Sequence, residues 1–489
     1  MSFPKLAAPL RMLAPDGAMG FLALIVFLSL APLAWSQNSS QGTQPSSSTG
    51  AGPSQTITNP STTPSNSSSQ LQPDTHPLGG AFMLTLGSLA EGRSYLQPEF
   101  SLGEMADTNA AYIPNGKQRL VTATVPEASL VLFLNRRRNS FSAGFLGGGY
   151  VYNNAPGLSS YFQSTSVSDS VQFRRFSLGL SDVMTYLPNS GFGFGSFGGL
   201  GGLGLGSFGS FGGGLGQINP SYTPNQSILT TSIGTFNNTT LVQAQYALSA
   251  RTSFTAVGSY GILRTRRQES GFFNGTMIGG SGSLGHSLTA RDTAGVSYQY
   301  GAFRYAGQSV SFNSHSVDFD YGRRITGRTA LQLSAGPEYI IDRIGNVSRS
   351  EVLASGFGNL TYSRGRDTFT AAGGRYATSG SGILTGADTV TGSGGWTRQL
   401  SRRLESSLSG GVSRNSELVA GGSENHYEYW FSGATLTWAL GRYISMYANY
   451  SYQRQITNAA PCTNAVCAGN LARQIFGIGF IFTPRPFGL

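Results

Sequence analysis

Beyond residue 80 the chain has three histidines, His286, His315 and His426. Acid–base or metal chemistry needs such a group in company, with a base, an acid or a second ligand at a fixed spacing. No HExxH, no GxSxG and no paired CxxC occurs. The serines and acids around His426 in SENHYEYW are too common in this chain for proximity to mark a catalytic set. The glycine tract of residues 191–216, GFGFGSFGGLGGLGLGSFGSFGGGLG, spells GxGxxG by composition alone, without the strand-then-helix setting that lets such a loop cradle phosphates. No catalytic, cofactor-binding or metal-ligating residue is assigned, and a non-enzymatic protein is expected.

The two cysteines, Cys462 and Cys467, stand in PCTNAVC with no histidine nearby. Metal sites need more ligands than this, so the pair reads as a disulfide stapling a loop in an oxidising compartment. Residues 1–36 agree with such a destination. Lys5 and Arg11 form a basic start, FLALIVFLSL an apolar centre, and Ala34-Trp35-Ser36 a small-residue cleavage site, as in a secretory signal peptide. Residues 37–78 are Ser, Thr, Gln, Asn, Pro and Gly with scarcely an apolar side chain, and are expected to be a disordered periplasmic tether. The remainder, 79–489, is expected to be one domain with a glycine-rich insertion at 190–220.

Composition limits what that domain can be. Charged residues are 11% of the 489, against about 25% in soluble domains. Glycine is abundant at 68 residues, and aromatics make up 11%. Yet mean hydropathy is only −0.10 and no apolar run after residue 36 is long enough for a membrane helix. Strand alternation reconciles these facts, because it hides lipid-facing residues from any hydropathy average. The net charge of +10 rests almost wholly on arginine, with no dense basic block beyond Arg136-Arg137-Arg138, so no nucleic-acid partner is expected.

The alternation is plainest in residues 241–262. Val242, Ala244, Tyr246 and Leu248 alternate with Gln243, Gln245, Ala247 and Ser249. After Ser249-Ala250-Arg251, Phe254, Ala256, Gly258, Tyr260 and Ile262 alternate with small and polar residues. Successive side chains of a strand point to opposite faces, so each arm is apolar on one face and wet on the other. The pattern recurs in Val317, Phe319 and Tyr321 against Ser316, Asp318 and Asp320, and in Ala434, Leu436 and Trp438 against Thr435 and Thr437. A soluble sandwich would not bury the polar set, and a propeller blade packs four shorter strands into a similar repeat. The turn arginines Arg251, Arg291, Arg328, Arg366, Arg403 and Arg442 recur every 37 to 40 residues, which fits two long strands, one short turn and one longer loop.

These features predict an all-β fold, a transmembrane antiparallel up-and-down β-barrel of about 16–18 strands. Residues 95–105, 120–134 (with Pro126 weakening the strand) and 168–182 read as early strands, with one uncertain turn between Asp182 and Pro224. Residues 264–274, 301–314, 413–425 and 456–470 read as longer external loops, which puts the Cys pair outside. The arginine turns are expected to be periplasmic, near lipid phosphates. Gln243, Gln245, Asp318, Asp320 and Asn449 are expected to line a pore.

From about residue 95 onward the chain resembles the β-barrel porin families of Gram-negative outer membranes, in particular those with recurring Y-x-L-S-x-R-T hairpins, here Tyr246 to Thr252. The aromatic last strand QIFGIGFIF resembles the C-terminal signal by which such barrels are recognised, although the chain ends in TPRPFGL rather than on Phe. The resemblance implies a cell outer-membrane location, outer-membrane lipid and the barrel-assembly machinery as partners, and a diffusion pore or a channel for polysaccharide export. The alternative is a non-conducting surface barrel acting as an adhesin or structural protein.

Overall fold

The computed structural model describes residues 94–111, 119–136, 138–187, 234–265, 274–306, 310–378, 384, 386–418, 425–458 and 470–489. The leader, the tether, the 190–220 insertion and the Cys pair lie outside the described residues. Eighteen long strands follow one another: β1 (Tyr95–Asp107), β2 (Val121–Arg136), β3 (Asn139–Tyr152), β4 (Ser160–Gln172), β5 (Phe176–Leu187), β6 (Thr235–Ala247), β7 (Thr252–Thr265), β8 (Gly275–Ser287) and β9 (Asp292–Tyr305) make the first half. The second half is β10 (Val310–Thr326), β11 (Thr329–Ile344), β12 (Val347–Arg364), β13 (Asp367–Thr378), β14 (Ala387–Gln399), β15 (Leu404–Glu417), β16 (His426–Ala439), β17 (Ile444–Thr457) and β18 (Leu471–Phe482). A two-residue β19 (Phe487–Gly488) lies beside the start of β1.

Each strand pairs antiparallel with the next, and β1 pairs with β18 from Phe100↔Phe482 to Asp107↔Ile475, so the sheet closes on itself. Strands about 4.8 Å apart and tilted about 40° close an 18-strand ring roughly 35 Å across between backbones.

The connections at the end holding both termini are two to four residues long. Their chemistry explains the recurring Ser/Thr-x-Arg spelling. The Ser249 hydroxyl accepts from the N–H groups of Arg251 (3.2 Å) and Thr252 (3.0 Å). Thr289 does the same for Arg291 and Asp292, and Ser401 for Arg403 and Leu404. The hydroxyl closes the turn, as Ser and Thr do where a chain reverses. The arginine main chain then extends the ladder: the carbonyls of Arg251, Arg291, Arg328, Arg366 and Arg403 accept from Ser287, Arg324, Ser363, Gln399 and Ala439 in turn.

The early reading needs correction in two places. Residues 168–182 are not one strand: they end β4, turn at Phe173-Arg174-Arg175 and begin β5. The apolar flanks of FRRF hide the turn in an otherwise alternating run. With it the short turns number eight, and the connection after β5 belongs to the opposite end. Residues 301–314 are mostly strand, because β9 and β10 run to Tyr305 and from Val310. Pro126 stays within β2 and faces outward. The β2–β3 pairing lapses between Thr124↔Val151 and Glu127↔Gly148, around the residue that cannot donate.

At the seam the inward Asp107 and Arg473 are 0% and 2% exposed. Arg473 Nε donates to both carboxylate oxygens, at 3.1 and 3.0 Å, and Nη2 adds a third bond to Oδ2. Asn109 N also donates to Asp107 at 2.9 Å. Lower on the same seam the Tyr447 ring of β17 crosses Gly479 and Gly103, where its oxygen lies 2.6 Å from where a Cβ on Gly479 would stand. A side chain there would push the ring off the joint.

Arg473→Ala strands a buried carboxylate and is expected to cost about 3–5 kcal/mol, read as a lower unfolding temperature of the heat-modifiable barrel on a gel. Arg473→Met combined with Asp107→Leu should recover most of that loss. Ser249→Ala, which removes an exposed turn acceptor, should cost only about 1 kcal/mol by the same measurement.

Candidate functional site: the inner wall and its mouth

Because each strand alternates strictly, the wall has two chemically distinct faces. Outward lie Phe254 and Tyr260 on β7, Val317 and Phe319 on β10, Trp430 and Trp438 on β16, and Phe476, Ile478, Phe480 and Phe482 on β18, all among the exposed large apolar residues. Inward lie Ser253, Thr255 and Ser259 on β7, Ser316, Asp318 and Asp320 on β10, and Ser451 and Gln453 on β17. A soluble barrel would show the opposite arrangement. It is a transmembrane antiparallel β-barrel.

No family model and no curated protein matches the chain. Among solved structures it is similar to Acinetobacter baumannii OccAB4, at 10% identity over 81% of this chain and 100% of that one, TM-score 0.41. It is similar to Pseudomonas aeruginosa OccK5 (OpdH), at 14% identity over 80% and 99%, TM-score 0.41. A third is Pseudomonas aeruginosa OccK2 (OpdF) in complex with glucuronate, at 9% identity over 82% and 100%, TM-score 0.41. With TM-scores of this size, the barrel assignment stands on the strand pairing and the two faces of this chain.

Asp318 and Asp320 point inward and are buried. Asp318 accepts from Ser316 Oγ (2.9 Å), Gln299 Nε2 (3.2 Å) and Ser355 Oγ (3.1 Å), and Asp320 from Ser334 Oγ at 2.8 Å. Neutral donors hold both, and among the described residues no arginine makes an ion pair with either. Gln243 and Asn449 are likewise inward and buried, and Gln245 accepts weakly from Ser177 at 3.4 Å on the same face. Gln243 and Gln245 share β6, and the two aspartates share β10, whereas Asn449 stands on β17 beside the seam. These residues therefore form separate stations around the wall. Arg251, Arg291, Arg328, Arg366, Arg403 and Arg442 are all exposed in or beside the short turns.

The mouth at the opposite end contains what the alternation could not reveal. The β12–β13 ladder stops at Gly356↔Arg375, while β11 and β12 pair on to Ile344↔Val347. Past Arg375 β13 keeps β14 alone as its ladder partner, through Thr378↔Ala387. Ala377 N donates to Glu338 Oε2 on β11 at 3.1 Å, skipping β12 altogether. Gly386 then comes to lie against Phe312 on β10: a Cβ built on Gly386 would stand 3.0 Å from the ring. Gly386 has φ +111°, a backbone region that suits glycine alone, and its carbonyl accepts from Leu418 N. Ala377 and Gly386, on either side of the β13–β14 connection, therefore lie over the inner faces of β11 and β10. A buried chain of hydroxyls and amides, Thr378 to Thr389 (2.8 Å) and Thr389 to Asn415 (2.9 Å), fixes the base of that connection.

Two apolar clusters line the same end of the inner face, one around Leu146, Tyr150, Phe162 and Ile475, the other around Met277, Phe303, Phe312 and Ile340. Phe303 and Phe312 stack at 4.2 Å. In sequence these residues are simply polar-face positions filled by an apolar side chain, and Gly386 is one glycine among many. Glu338 is one of two acids on β11, with Asp342, and nothing local to it marks the contact with Ala377.

Gly386→Val combines a strained φ with a clash against Phe312. It is expected to lower the unfolding temperature by a few degrees, and adding Phe312→Ala, which removes the clash, should recover part of that loss by the same measurement.

Proposed function

We propose that this chain is an outer-membrane channel for small polar solutes. The observation that carries the reading is the closed 18-strand wall with apolar residues outside and polar residues inside, since barrels of about this size commonly enclose an aqueous path. The leader read in residues 1–36 would deliver the chain beyond the cytoplasm, and the apolar outer band would then meet lipid.

The sorting of charge supports a preference for cations. Glu99, Glu127, Asp318, Asp320, Glu338 and Glu405 lie on the inward face. On the inward face Arg473 is taken up by Asp107, Arg349 stands opposite Asp342 and Arg324 lies at the turn end of β10, whereas Arg264, Arg304, Arg375, Arg414 and Arg454 all fall on the outward face. A wall with uncompensated acids raises the local concentration of cations and depletes anions. The net charge of +10 is thus carried mainly where solute does not pass.

Purified full-length protein in planar bilayers is expected to give discrete conductance steps, with a reversal potential in a KCl gradient on the cation side. Asp318→Asn combined with Asp320→Asn should move that potential toward zero without abolishing the steps. A barrel that is heat-modifiable but never conducts would sink the channel. The burial of Phe162 and Phe312 at the mouth favours, as a second reading, a non-conducting surface barrel, and the same recording separates the two.

A further inference from the structure

Around most of the barrel the outward band is apolar or small at mid-depth: Phe145 on β3, Gly258 and Tyr260 on β7, Gly280 on β8, Phe319 on β10. Strands β4 to β6 break it. Their outward positions include Gln163, Thr165 and Asp169 on β4, Asp182 on β5, and Asn238 and Thr240 on β6. Asp182 sits near the middle of the 12-residue β5, between Leu180 and Met184 on the same face. Asn238 Nδ2 donates to Asp182 Oδ1 at 3.0 Å, and Thr240 Oγ1 to Oδ2 at 2.6 Å. Asp169 lies on the same face one row lower, opposite Leu180.

Hydrocarbon can supply no donor to a carboxylate and no acceptor to an amide, so a polar cluster at this depth is costly against lipid. The six side chains carry both kinds of group on one face. Gln163, Thr165 and the second N–H of Asn238 can donate, while Asp182 and the amide and hydroxyl oxygens can accept. A surface holding both can pair with itself across a two-fold axis, donors of one copy meeting acceptors of the other. We infer that two copies of this chain meet in the membrane through the outward face of β4, β5 and β6, around Asp182. The contact is independent of whether the barrel conducts.

Full-length protein in lipid nanodiscs or mild detergent should have the mass of two copies by light scattering. Asp182→Leu with Asn238→Leu should reduce it to one while the barrel remains heat-modifiable. Should that variant fail to fold, cross-linking decides with Asp182 and Asn238 intact. In a Cys462→Ser, Cys467→Ser background, Thr240→Cys should form a disulfide between copies on mild oxidation in membranes, and Gly280→Cys, at similar depth on β8, should not. A single-copy mass, or equal cross-linking at the two positions, overturns the inference. So does a disulfide from Thr240→Cys to Ser207→Cys within one chain, which would assign the patch to the chain's own residues 191–216.

Discussion

Inside a bilayer every main-chain N–H and C=O must find its partner within the protein, because no water is there to take its place. For a chain that crosses as strands this leaves one solution, a ladder with no free edge. The β1–β18 seam supplies the last rung, and its construction shows how much depends on it. Asp107 and Arg473 lock the outer part of the joint in a buried ion pair with three hydrogen bonds. Lower down, two glycines make room for Tyr447 to lie across all three strands that meet there. Among the described residues the other ion pairs are all more exposed than this one. The other strand pairings follow from chain continuity, whereas the seam joins residues more than 360 positions apart and needs its own chemistry.

Closure imposes the second property, a strict division of the sequence into two sets of alternate residues. One set meets lipid and is mostly aromatic, aliphatic or glycine, with the β4–β6 patch around Asp182 as an exception. The other faces inward and is free to be polar. Several acids, Asp318 and Asp320 among them, lie inside, and most strand arginines lie on the outer face or in the turns, although the chain as a whole is basic. Asp318 and Asp320 are held by serines and a glutamine. Short polar side chains fill the wall around them, which keeps the acids ordered without neutralising them.

Alternation and turn spacing made the architecture legible from sequence, because both are local properties with a fixed period. The second face of β10 could be read off as Asp318 and Asp320, and the arginine period fixed the number of hairpins in the second half. What could not be read depends on contacts across the barrel. The placing of Ala377 and Gly386 over the inner wall is set by Glu338 meeting a backbone N–H two strands away and by Gly386 meeting Phe312 across still more of the wall. The Phe173–Phe176 turn was missed for the reverse reason: its neighbours are as apolar as a strand, and only the paired arginines betray it. Asp182 looked like the end of a strand when it is the middle of one.

The hydroxyl-capped turns have a consequence for how such a barrel changes size. Each arginine carbonyl hands the ladder on to the next hairpin, so one hairpin of roughly 38 residues is a self-contained module whose two borders are alike. Duplicating or deleting a module would alter the circumference by two strands while leaving every remaining border with the neighbour it was built for. The bore is then an inheritable quantity that changes in whole steps, and the seam, which is not modular, stays where it is.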